Sequence, residues 1–255
     1  MEERMLTAQR KKVILDRLSS LGQVTVTDLS REWEVSEDTI RRDLRDLAEE
    51  GLVQRVHGGA LPVSQALGNY ERRETISSEV KTRLGEAGAA LIRSGQVVAI
   101  DGGTSNLQLV RAIRRDIAFT VVTHSPIIAA ELRANSLVEI ILLGGRIFRH
   151  SQVAVGSETV EAINRLRVDT FFLGATGLHP ATGVTTGDWE EAAVKRAFCR
   201  AAADTILMVS PEKWGAASTY QIIPTNELSM LVVEASVPEE SLEPYRSLGL
   251  EIIKV

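Results

Sequence analysis

The sequence predicts an α/β protein with two parts, a small helical unit followed by a larger unit built around a parallel sheet. Residues 6–60 contain short amphipathic helical segments and then an alternating stretch that stops at paired glycines. Beyond residue 77, short continuous apolar segments alternate with helical ones, which is the pattern of a parallel sheet covered by helices on both faces. A chain of 255 residues is long enough for two modest domains, each with its own hydrophobic core.

Two helices are predicted near the start of the chain. Residues 6–21 place apolar side chains at helical spacing and end at Gly22, which favours the left-handed conformation in which helices terminate. Thr27 can cap a second, short helix that ends at Trp33. The next two residues, 34–35, leave room only for a tight turn before a third helix.

The third helix carries three arginines on one face. Ser36 can cap it, because the hydroxyl can accept a hydrogen bond from a free amide of the first turn. At about 100° per residue, Ile40, Leu44 and Leu47 form one apolar stripe, with Asp43 at its edge. The side chains that point the other way are Asp38, Arg41, Arg42 and Arg45. Gly51 is the expected exit residue of this helix.

A short strand and a tight turn follow the arginine helix. Residues 52–57 alternate apolar and polar side chains and end at Gly58 and Gly59, which predicts a small basic hairpin, or wing. Two short helices joined by a tight turn form a helix-turn-helix, whose second helix enters the major groove of DNA. Arginine suits this face because its planar fork can bond guanine edges or phosphate oxygens at two points. The predicted DNA-binding residues are Ser36, Thr39, Arg41, Arg42, Arg45, Arg55 and His57.

The charge balance restricts how this winged helix-turn-helix can bind DNA. An arginine pair alone would also suit a solvated helix face, but the cap, the stop glycine, the preceding helices and the wing favour DNA binding. The formal net charge of the chain is -5, and residues 1–61 hold 10 Lys and Arg against 12 Asp and Glu. Because DNA is strongly anionic, binding must depend on a local arginine patch and not on overall charge.

The composition gives three further expectations. No apolar run approaches the roughly 18 residues that a membrane span needs, and the charged N-terminus lacks a signal-peptide core. We therefore expect a cytoplasmic protein with no membrane partner. The single cysteine, Cys199, cannot form an internal disulfide, and a buried, unreactive thiol is expected. The four histidines show no metal-ligand spacing, so no metal site is predicted.

The predicted domain boundaries divide the chain into three segments. A winged helix-turn-helix domain spans 1–61, a linker spans 62–76 with residues 62–68 expected to be weakly structured, and an α/β ligand-binding and oligomerisation domain spans 77–255. In the last domain, strands are predicted at 97–100, 119–123, 138–143, 170–173, 205–209 and 231–233. Helices are predicted at 77–92, 106–113, 126–133, 158–166 and 190–203.

A glycine-rich loop follows the first of these strands. In such sheets, ligands bind beyond the carboxyl ends of the strands. Glycines let the backbone approach an anion, hydroxyls donate hydrogen bonds, and the following helix N-terminus offers free amides, which together suit a phosphate. The loop residues are Asp101, Gly102, Gly103, Thr104, Ser105 and Asn106. The loop matches neither the dinucleotide fingerprint nor the P-loop, and a plain strand-to-helix turn is the alternative interpretation.

Further polar residues are candidates for the same pocket. Lys195 can reach a phosphate or sugar oxygen while Glu191 accepts from hydroxyls, although two such residues four apart can also form an ordinary surface ion pair. His124 could face the pocket, but a lone histidine is more often structural. The candidate ligand contacts outside the glycine-rich loop are His124, Gly144, Gly145, Thr176, Glu191, Lys195 and Lys213.

On these residues, the chain resembles the DeoR family of bacterial transcription regulators over nearly its full length. The N-terminal similarity rests on Arg10, Val35-Ser36, Thr39 to Leu44, Gly51-Leu52, Arg55 and His57 to Ala60. The C-terminal similarity rests on Asp101 to Thr104, Leu143 to Gly145, Val168-Asp169, Gly174-Ala175, Glu190 to Ala192, Val194-Lys195 and Lys213. The resemblance implies a sensor domain similar in fold to sugar-phosphate isomerases. It also implies operator DNA as partner, a phosphorylated sugar as effector without a cofactor, and usually repression that the effector relieves.

The chain departs from the family's pattern at two places near the expected pocket. Thr123-His124 stands where the family often has Thr-Asn, and residues 210–213, Ser-Pro-Glu-Lys, stand where it often has Asp-Ser-Ser-Lys. Such changes alter which sugar hydroxyls find partners, and an unpaired buried polar group costs about 1 to 3 kcal/mol. The effector class is expected to be kept, whereas the identity of the sugar does not follow.

The leading hypothesis is a non-enzymatic regulator that acts as a homodimer or homotetramer. Its sugar phosphate would change the spacing of paired N-terminal domains on half-sites about one DNA turn, or a multiple, apart. The ligand can do so only through different affinities for the two arrangements. An isomerase-like enzyme with a DNA-binding tether is the first alternative, with Glu190, Glu191 or Asp101 in proton transfer. In the second alternative, the larger domain serves oligomerisation alone.

Overall fold

The computed structural model describes residues 5–255, apart from the side chains at positions 19, 20 and 65. Residues 1–4 of the predicted N-terminal domain lie outside the described residues. The architecture is α/β, with a small winged helix-turn-helix followed by a larger domain on a parallel sheet, and it confirms the predicted fold class.

The N-terminal domain contains three helices and a three-stranded antiparallel sheet. Its elements are α1 (Thr7–Leu21), β1 (Val24–Thr25), α2 (Val26–Glu32), α3 (Glu37–Glu49), β2 (Val53–Val56) and β3 (Gly59–Pro62). Strand β3 pairs with both β1 and β2, so the β2–β3 hairpin forms the wing. The helices enclose a small core of buried aliphatic residues that includes Ile14, Leu29, Ile40, Leu44 and Leu47.

Two sequence predictions in this domain need correction. Thr25, and not Thr27, caps α2: its hydroxyl accepts from the amide of Asp28 at 3.1 Å and donates to the carboxylate of Asp28 at 2.6 Å. Asp43 was expected at the edge of the apolar stripe of α3, but it is buried. Its carboxylate accepts two hydrogen bonds from the guanidinium of Arg10, at 2.6 and 3.0 Å.

Within the linker predicted at 62–76, residues 62–68 were expected to be weakly structured, but they include the end of β3 and a 3-10 turn. Residues 63–76, here called the connector, contain a single 3-10 turn (Gln65–Leu67) and helix α4 (Tyr70–Thr75). The hydroxyl of Ser64 is buried and bonds the carbonyls of Thr176 and Glu212 in the larger domain. The connector is ordered because its buried side chains pack against that domain.

The larger domain alternates strands and helices along most of its length. Its helices are α5 (Ser78–Ala90), α6 (Thr104–Ala112), α7 (Pro126–Leu132), α8 (Ser157–Asn164), α9 (Trp189–Ala201) and α10 (Glu239–Arg246). Its strands are β4 (Val97–Ile100), β5 (Phe119–Thr123), β6 (Val138–Leu142), β7 (Arg146–Phe148), β8 (Val153–Val155), β9 (Val168–Leu173), β10 (Gly177–His179), β11 (Gly183–Thr186), β12 (Ala202–Val209), β13 (Tyr220–Ile223), β14 (Met230–Val233) and β15 (Glu251–Lys254). Short 3-10 turns lie at Pro211–Lys213 and Thr225–Glu227.

Seven strands form one parallel sheet in the order β15-β14-β12-β9-β4-β5-β6. Adjacent residues of β9 show how both faces are covered: Phe171 belongs to the hydrophobic cluster on one face and Phe172 to the cluster on the other. The six strands predicted from the sequence are all present. The antiparallel sheet β10-β11-β13, the β7-β8 pair, β15 and α10 were not predicted. β7, β10 and β11 mix polar residues or glycine with apolar ones, and β8 has only three residues, so none of them forms a distinctive apolar run.

Two composition-based expectations can be compared with the structure. Burial raises the pKa of the Cys199 thiol to about 12, which agrees with an unreactive thiol. Among residues 5–255, no helix has both the length and the apolar character needed to cross a bilayer.

Candidate functional site

The predicted DNA-binding side chains lie together on the exposed side of α3 and on the wing. Ser36 caps α3 by accepting from the amide of Thr39 at 3.2 Å. The side chains of Arg41 and Arg42 are 52% and 70% exposed, and the remaining basic members, Arg45, Arg55 and His57, are exposed as well. Solvent exposure leaves their donors available to a partner.

The wing and the arginine helix form one continuous surface. Arg41 from α3 lines the same open hollow as Arg55 and His57 from the hairpin. Arg41 and Arg42 each pair with an acid one turn earlier, Glu37 at 2.6 Å and Asp38 at 3.5 Å. Because these pairs are exposed, they are weak, and phosphate or base contacts can replace them.

A polar cleft lies where three neighbouring strands of the parallel sheet end. The loops after β4, β9 and β12, which are adjacent in the sheet, supply Gly102 to Asn106, Gly174 to Thr176, and Glu212-Lys213. The cleft contains about 510 Å³ of space not filled by atoms, its open mouth included. Its position at the carboxyl ends of the strands is where sheets of this type bind ligands.

The first turn of α6 faces this cleft and has no side-chain cap. Gly103 precedes the helix with a φ of +106°, a conformation that favours glycine. A Cβ on Gly102 would come within 2.3 Å of Cγ1 of Val153, so only glycine allows this close approach. The first amides of α6 have no partner inside the helix, and together with the helix dipole they favour an anion.

Asp101 lies behind the wall of the cleft and forms hydrogen bonds with residues that line it. Its carboxylate has no exposed surface and accepts from Lys195 Nζ at 2.5 Å and from the amides of Gly102 and Gly174 at 2.7 and 2.8 Å. Burial opposes ionisation, but the charge of Lys195 and the hydrogen bond from His124 outweigh it and hold the pKa of the Asp101 carboxyl well below its usual range. The carboxylate therefore fixes Lys195 and two glycine-containing loops to one another.

His124 supports Asp101 and does not face the cleft, so the prediction that it lines the pocket is wrong. Its Nε2 lies 2.7 Å from Oδ1 of Asp101, and its Nδ1 lies 2.7 Å from the carbonyl oxygen of Ala154. A carbonyl oxygen only accepts, so Nδ1 carries a proton. Nε2 faces the carboxylate of Asp101, so the ring is held between that carboxylate and the Ala154 carbonyl, behind the wall of the cleft.

Two of the four buried cations at the cleft have carboxylate partners. Lys195 lies 2.5 Å from Asp101 and 3.4 Å from Glu191. Lys81, from α5, pairs with Glu212 at 3.0 Å. Burial opposes the charged form of Glu191, but Lys195 outweighs it and the pKa of Glu191 is lowered. These cations are neutralised within the protein.

The other two buried cations, Lys213 and Arg73, have no such partner. Within residues 5–255, no ion pair shorter than 4.0 Å joins a carboxylate to either one. The Nζ of Lys213 donates to Ser105 at 3.2 Å. Burial lowers the pKa of Lys213 to about 8, against the opposing charge of Glu212 and with the help of neighbouring cations. A buried cation without a counter-ion is costly, so the cleft favours an anionic ligand.

Most predicted ligand residues meet in this cleft, and four do not. Those that line it are Gly102, Gly103, Thr104, Ser105, Asn106, Thr176, Glu191, Lys195 and Lys213. Asp101 and His124 lie behind its wall. Gly144 and Gly145 were predicted as ligand contacts, but they follow β6 at the edge of the sheet, two strands away from β4, and contact Thr159 at the start of α8.

The structure also adds cleft residues that the sequence did not indicate. These are Arg73, Lys81, Ser151, Thr186 and Glu212. Lys81 lies three and four residues before the buried Leu84 and Gly85 on α5, so the helical spacing could have placed it on the packed face. The remaining four come from loops or short elements whose position depends on tertiary packing.

The carboxylates nominated for an enzymatic alternative are already engaged. Glu190 points away from the cleft and pairs with Arg146. Glu191 accepts from Thr186 at 2.7 Å and is held by Lys195, and Asp101 is fully buried. In the described part of the chain, no group of three or more His, Cys, Asp or Glu side chains is placed to hold a metal ion.

Comparisons with known families cover both halves of the chain. Residues 10–66 match the DeoR-like helix-turn-helix domain, and residues 76–235 match the DeoR C terminal sensor domain. The chain belongs to the DeoR family. It is 30% identical to a putative aga operon transcriptional repressor of Escherichia coli O157:H7, over 98% of this chain and 94% of that protein. It is 32% identical to the HTH-type transcriptional regulator GlpR of Haloferax volcanii, over 98% of each chain.

A third relative and one solved structure complete the comparison. The HTH-type transcriptional repressor GlcR of Bacillus subtilis is 31% identical over 98% of this chain and 96% of its own length. A ribose 5-phosphate isomerase A from Methanocaldococcus jannaschii overlaps with a TM-score of 0.41 and 12% identity over 54% of each chain. An overlap this limited supports no conclusion about the site, so the assignment rests on the family matches and on the geometry.

Proposed function

We propose that this DeoR-family protein represses a sugar-metabolism operon by binding operator DNA and that a phosphorylated sugar in the cleft relieves the repression. The observation that carries the proposal is the pairing of an uncapped helix N-terminus with two buried cations that lack a carboxylate partner. A phosphate group supplies the missing negative charge, and its oxygens accept from the amides, from Ser105 and from Lys213. This function requires the cytoplasm, where operator DNA lies.

The sugar part of the effector is expected beside Glu191. One carboxylate oxygen of Glu191 is bonded to Thr186 at 2.7 Å and the other lies 3.4 Å from Lys195. A carboxylate has about four lone-pair sites, so Glu191 keeps acceptor capacity for a sugar hydroxyl. Lys195, held by Asp101, keeps other N–H donors for sugar or phosphate oxygens. No cofactor or metal has a role in this scheme.

The proposed DNA contacts divide by position. Arg41, Arg42 and Arg45 on α3 contact base edges and phosphates in the major groove, and Arg55 and His57 on the wing contact the adjacent backbone. Ser36 and Thr39 lie at the start of α3, where short polar side chains contact phosphates.

The active species is proposed to be a homodimer or homotetramer. Paired half-sites require paired winged helices. The edge strand β6 supports self-association, because one side of it has no strand partner in residues 5–255. It exposes Ile141 at 38% and Leu142 at 49%, an apolar edge that a second copy would cover. Analytical ultracentrifugation of the wild type and of Ile141→Glu tests this: a monomeric wild type contradicts it.

Two binding measurements test the proposed function. Isothermal titration with pairs of phosphorylated and unphosphorylated sugars should show binding of at least one phosphorylated member and none of its unphosphorylated partner. Gel shifts with the DNA upstream of the gene that encodes the protein should show specific binding, weakened by the same sugar phosphate. Failure of every phosphorylated sugar to bind would overturn the sensor role, and absence of any specific shift would overturn the DNA-binding role.

A further inference from the structure

Arg73 is a buried arginine with unfilled hydrogen-bonding capacity at the cleft. The residue is 9% exposed and lines the cleft with Lys213 and the first turn of α6. Its Nε has no hydrogen-bond partner, and within the described part of the chain the one hydrogen bond from its guanidinium runs from Nη2 to the carbonyl of His150 at 3.0 Å. A guanidinium has five donors, so most of its capacity is unused.

The environment of Arg73 favours an anion from outside the protein. Burial lowers the pKa of Arg73, although the charges of Glu191, Tyr70 and Asp101 oppose that effect. Arginine still stays charged, because its ordinary pKa is far above neutrality. The ring of Tyr70 has its centroid 5.6 Å from the guanidinium carbon, so one face of the fork is covered, while Nε has no hydrogen-bond partner and is free for a ligand.

Arg73 also lies on a segment that neither family match covers. The helix-turn-helix match ends at residue 66 and the sensor match begins at residue 76, whereas Arg73 is on α4 of the connector. The backbone carbonyl of Arg73 accepts from Lys81 Nζ at 2.6 Å and lies 3.4 Å from the hydroxyl of Thr104 at the start of α6. Hydrogen bonds therefore connect the end of α4 to α5 and α6, which form part of the cleft.

The same connector continues directly from the wing. Strand β3, which pairs with both β1 and β2, ends at Pro62. Val63 then forms a bridge with Ala217, and Ser64 bonds the carbonyls of Thr176 and Glu212. Thr176 and Glu212 line the cleft themselves. A ligand that holds Arg73 would thus hold the segment that joins the cleft to the DNA-binding domain.

We propose that Arg73 binds the anionic group of the effector and that this contact transmits ligand binding through the connector to the winged helix. The inference rests on the proposed function, because it requires the cleft to be the effector site. It adds a ligand-contacting residue outside both matched domains. It also gives the ligand a direct contact with the connector, so that the contact is present in the bound state and missing in the free state, as a coupling between two sites requires.

The test uses inorganic phosphate as the probe and the full-length protein. Thermal unfolding in phosphate, compared with chloride at equal ionic strength, gives an apparent affinity for the wild type, Arg73→Gln, Arg73→Lys and Arg72→Gln. Arg72 is the matched control, because it is the adjacent arginine on α4 and its side chain is exposed. We expect Arg73→Gln to weaken phosphate binding by about tenfold or more and Arg72→Gln by less than about twofold. The phosphate affinity of Arg73→Lys should lie between those of Arg73→Gln and Arg72→Gln, because lysine keeps the positive charge but lacks the planar set of guanidinium donors.

Hydrogen exchange separates ligand contact from a structural role. Amides of residues 63–76 should gain protection when phosphate is added to the wild type and to Arg72→Gln, but not to Arg73→Gln. If Arg73 only supports the carbonyl of His150, Arg73→Gln will lower the melting temperature without changing the phosphate-induced shift, and that result overturns the proposal. The wild-type exchange measurement remains decisive if Arg73→Gln does not fold, because unchanged protection of the connector also overturns it.

The outcomes also distinguish this inference from the proposed function. If phosphate stabilises the wild type and Arg73→Gln equally, the Arg73 contact is refuted while the cleft remains an anion site. If phosphate does not stabilise the wild type at all, the cleft is not an anion site, and both the inference and the proposed effector role fail.

Discussion

The Nζ atom of Lys195 lies 2.5 Å from Oδ2 of Asp101, and both side chains are almost completely buried. This ion pair joins the loop after β4 to helix α9, 94 residues away in sequence. A buried ion pair is not in itself strong evidence for stability, but removal of one partner leaves an uncompensated charge. The pair therefore matters mainly because it fixes the position of Lys195 at the cleft.

Replacement of the Asp101 carboxylate should destabilise the protein strongly. In Asp101→Asn, Lys195 loses its closest counter-ion and His124 loses its charged acceptor, so we expect the free energy of unfolding to fall by roughly 3 to 5 kcal/mol. Urea unfolding followed by circular dichroism measures the change. Asp204→Asn, at an exposed strand position, is the control and should unfold like the wild type. An Asp101→Asn protein as stable as the wild type would refute the organising role of this carboxylate.

Effector binding should weaken as the pH rises through about 8. Burial lowers the pKa of Lys213 to about 8, so above that pH the amine is neutral and no longer attracts the phosphate. A phosphate ester is dianionic above about pH 6, which places the tightest binding between about pH 6 and 8. Calorimetric titration at several pH values checks this profile. Lys213→Gln should bind the effector more weakly, and its affinity should no longer decrease above about pH 8. Lys213→Arg should still bind the effector at pH 9.

Because of Lys213, the free energy of unfolding of the ligand-free protein should increase as the pH rises into mild alkali. Its folded pKa of about 8 is below the ordinary value of 10.5, so between these values the unfolded chain binds more protons than the folded one. The free energy of unfolding contributed by this group therefore rises with pH over that interval. The difference between wild type and Lys213→Gln, measured by urea unfolding from pH 7.5 to 10, isolates this effect. A difference that stays constant with pH would contradict the lowered pKa.

Arg42 should contribute to DNA binding without contributing to the fold. Its side chain is 70% exposed and its acidic partner lies 3.5 Å away, so Arg42→Ala should leave the melting temperature unchanged. Loss of a base or phosphate contact should weaken binding to the upstream DNA by roughly 1 to 3 kcal/mol. Fluorescence anisotropy provides the measurement. Arg133→Ala removes the same charge from an exposed position in the sensor domain, and it should bind DNA like the wild type.

The buried pair of Arg10 and Asp43 should support the shape of the winged helix. Two hydrogen bonds of 2.6 and 3.0 Å join α1 to α3, so Asp43→Asn leaves Arg10 without its counter-ion and should cost roughly 3 kcal/mol or more. Thermal unfolding of the full-length protein, monitored by the NMR signals of the DNA-binding domain, measures this loss of stability. Lys11→Gln, whose acidic partners Asp46 and Glu50 are exposed, should change stability little. Equal stability of both variants would contradict this assignment.

The sequence predicted the parts of the site that carry a local pattern. The glycine-rich loop after β4 could be recognised because glycines, hydroxyls and a following helix are adjacent in the chain. Lys195 and Lys213 could be nominated by their residue type and position after or beside strands. Their convergence depends on the order β12-β9-β4 in the sheet, which agrees with the expected α/β fold.

Other features of the site depend on packing that no local pattern reveals. Arg73 lies in a short charged stretch that resembled a linker, and only its contacts with the cleft show why it is ordered. His124 follows a strand as a ligand residue would, but its ring points to Ala154 and Asp101. Gly144 and Gly145 were misplaced because the sequence does not show that β6 is the edge strand of the sheet.

The central claim is that a phosphorylated sugar bound in the cleft changes the affinity of the winged helix for DNA. The most direct measurement is fluorescence anisotropy of the labelled upstream DNA, titrated with paired phosphorylated and unphosphorylated sugars in the presence of the protein. We predict that one phosphorylated sugar lowers the anisotropy of the wild-type complex, that its unphosphorylated partner does not, and that Lys213→Gln requires a higher concentration. Unchanged DNA binding with every phosphorylated sugar, or equal release by both members of a pair, would contradict the account.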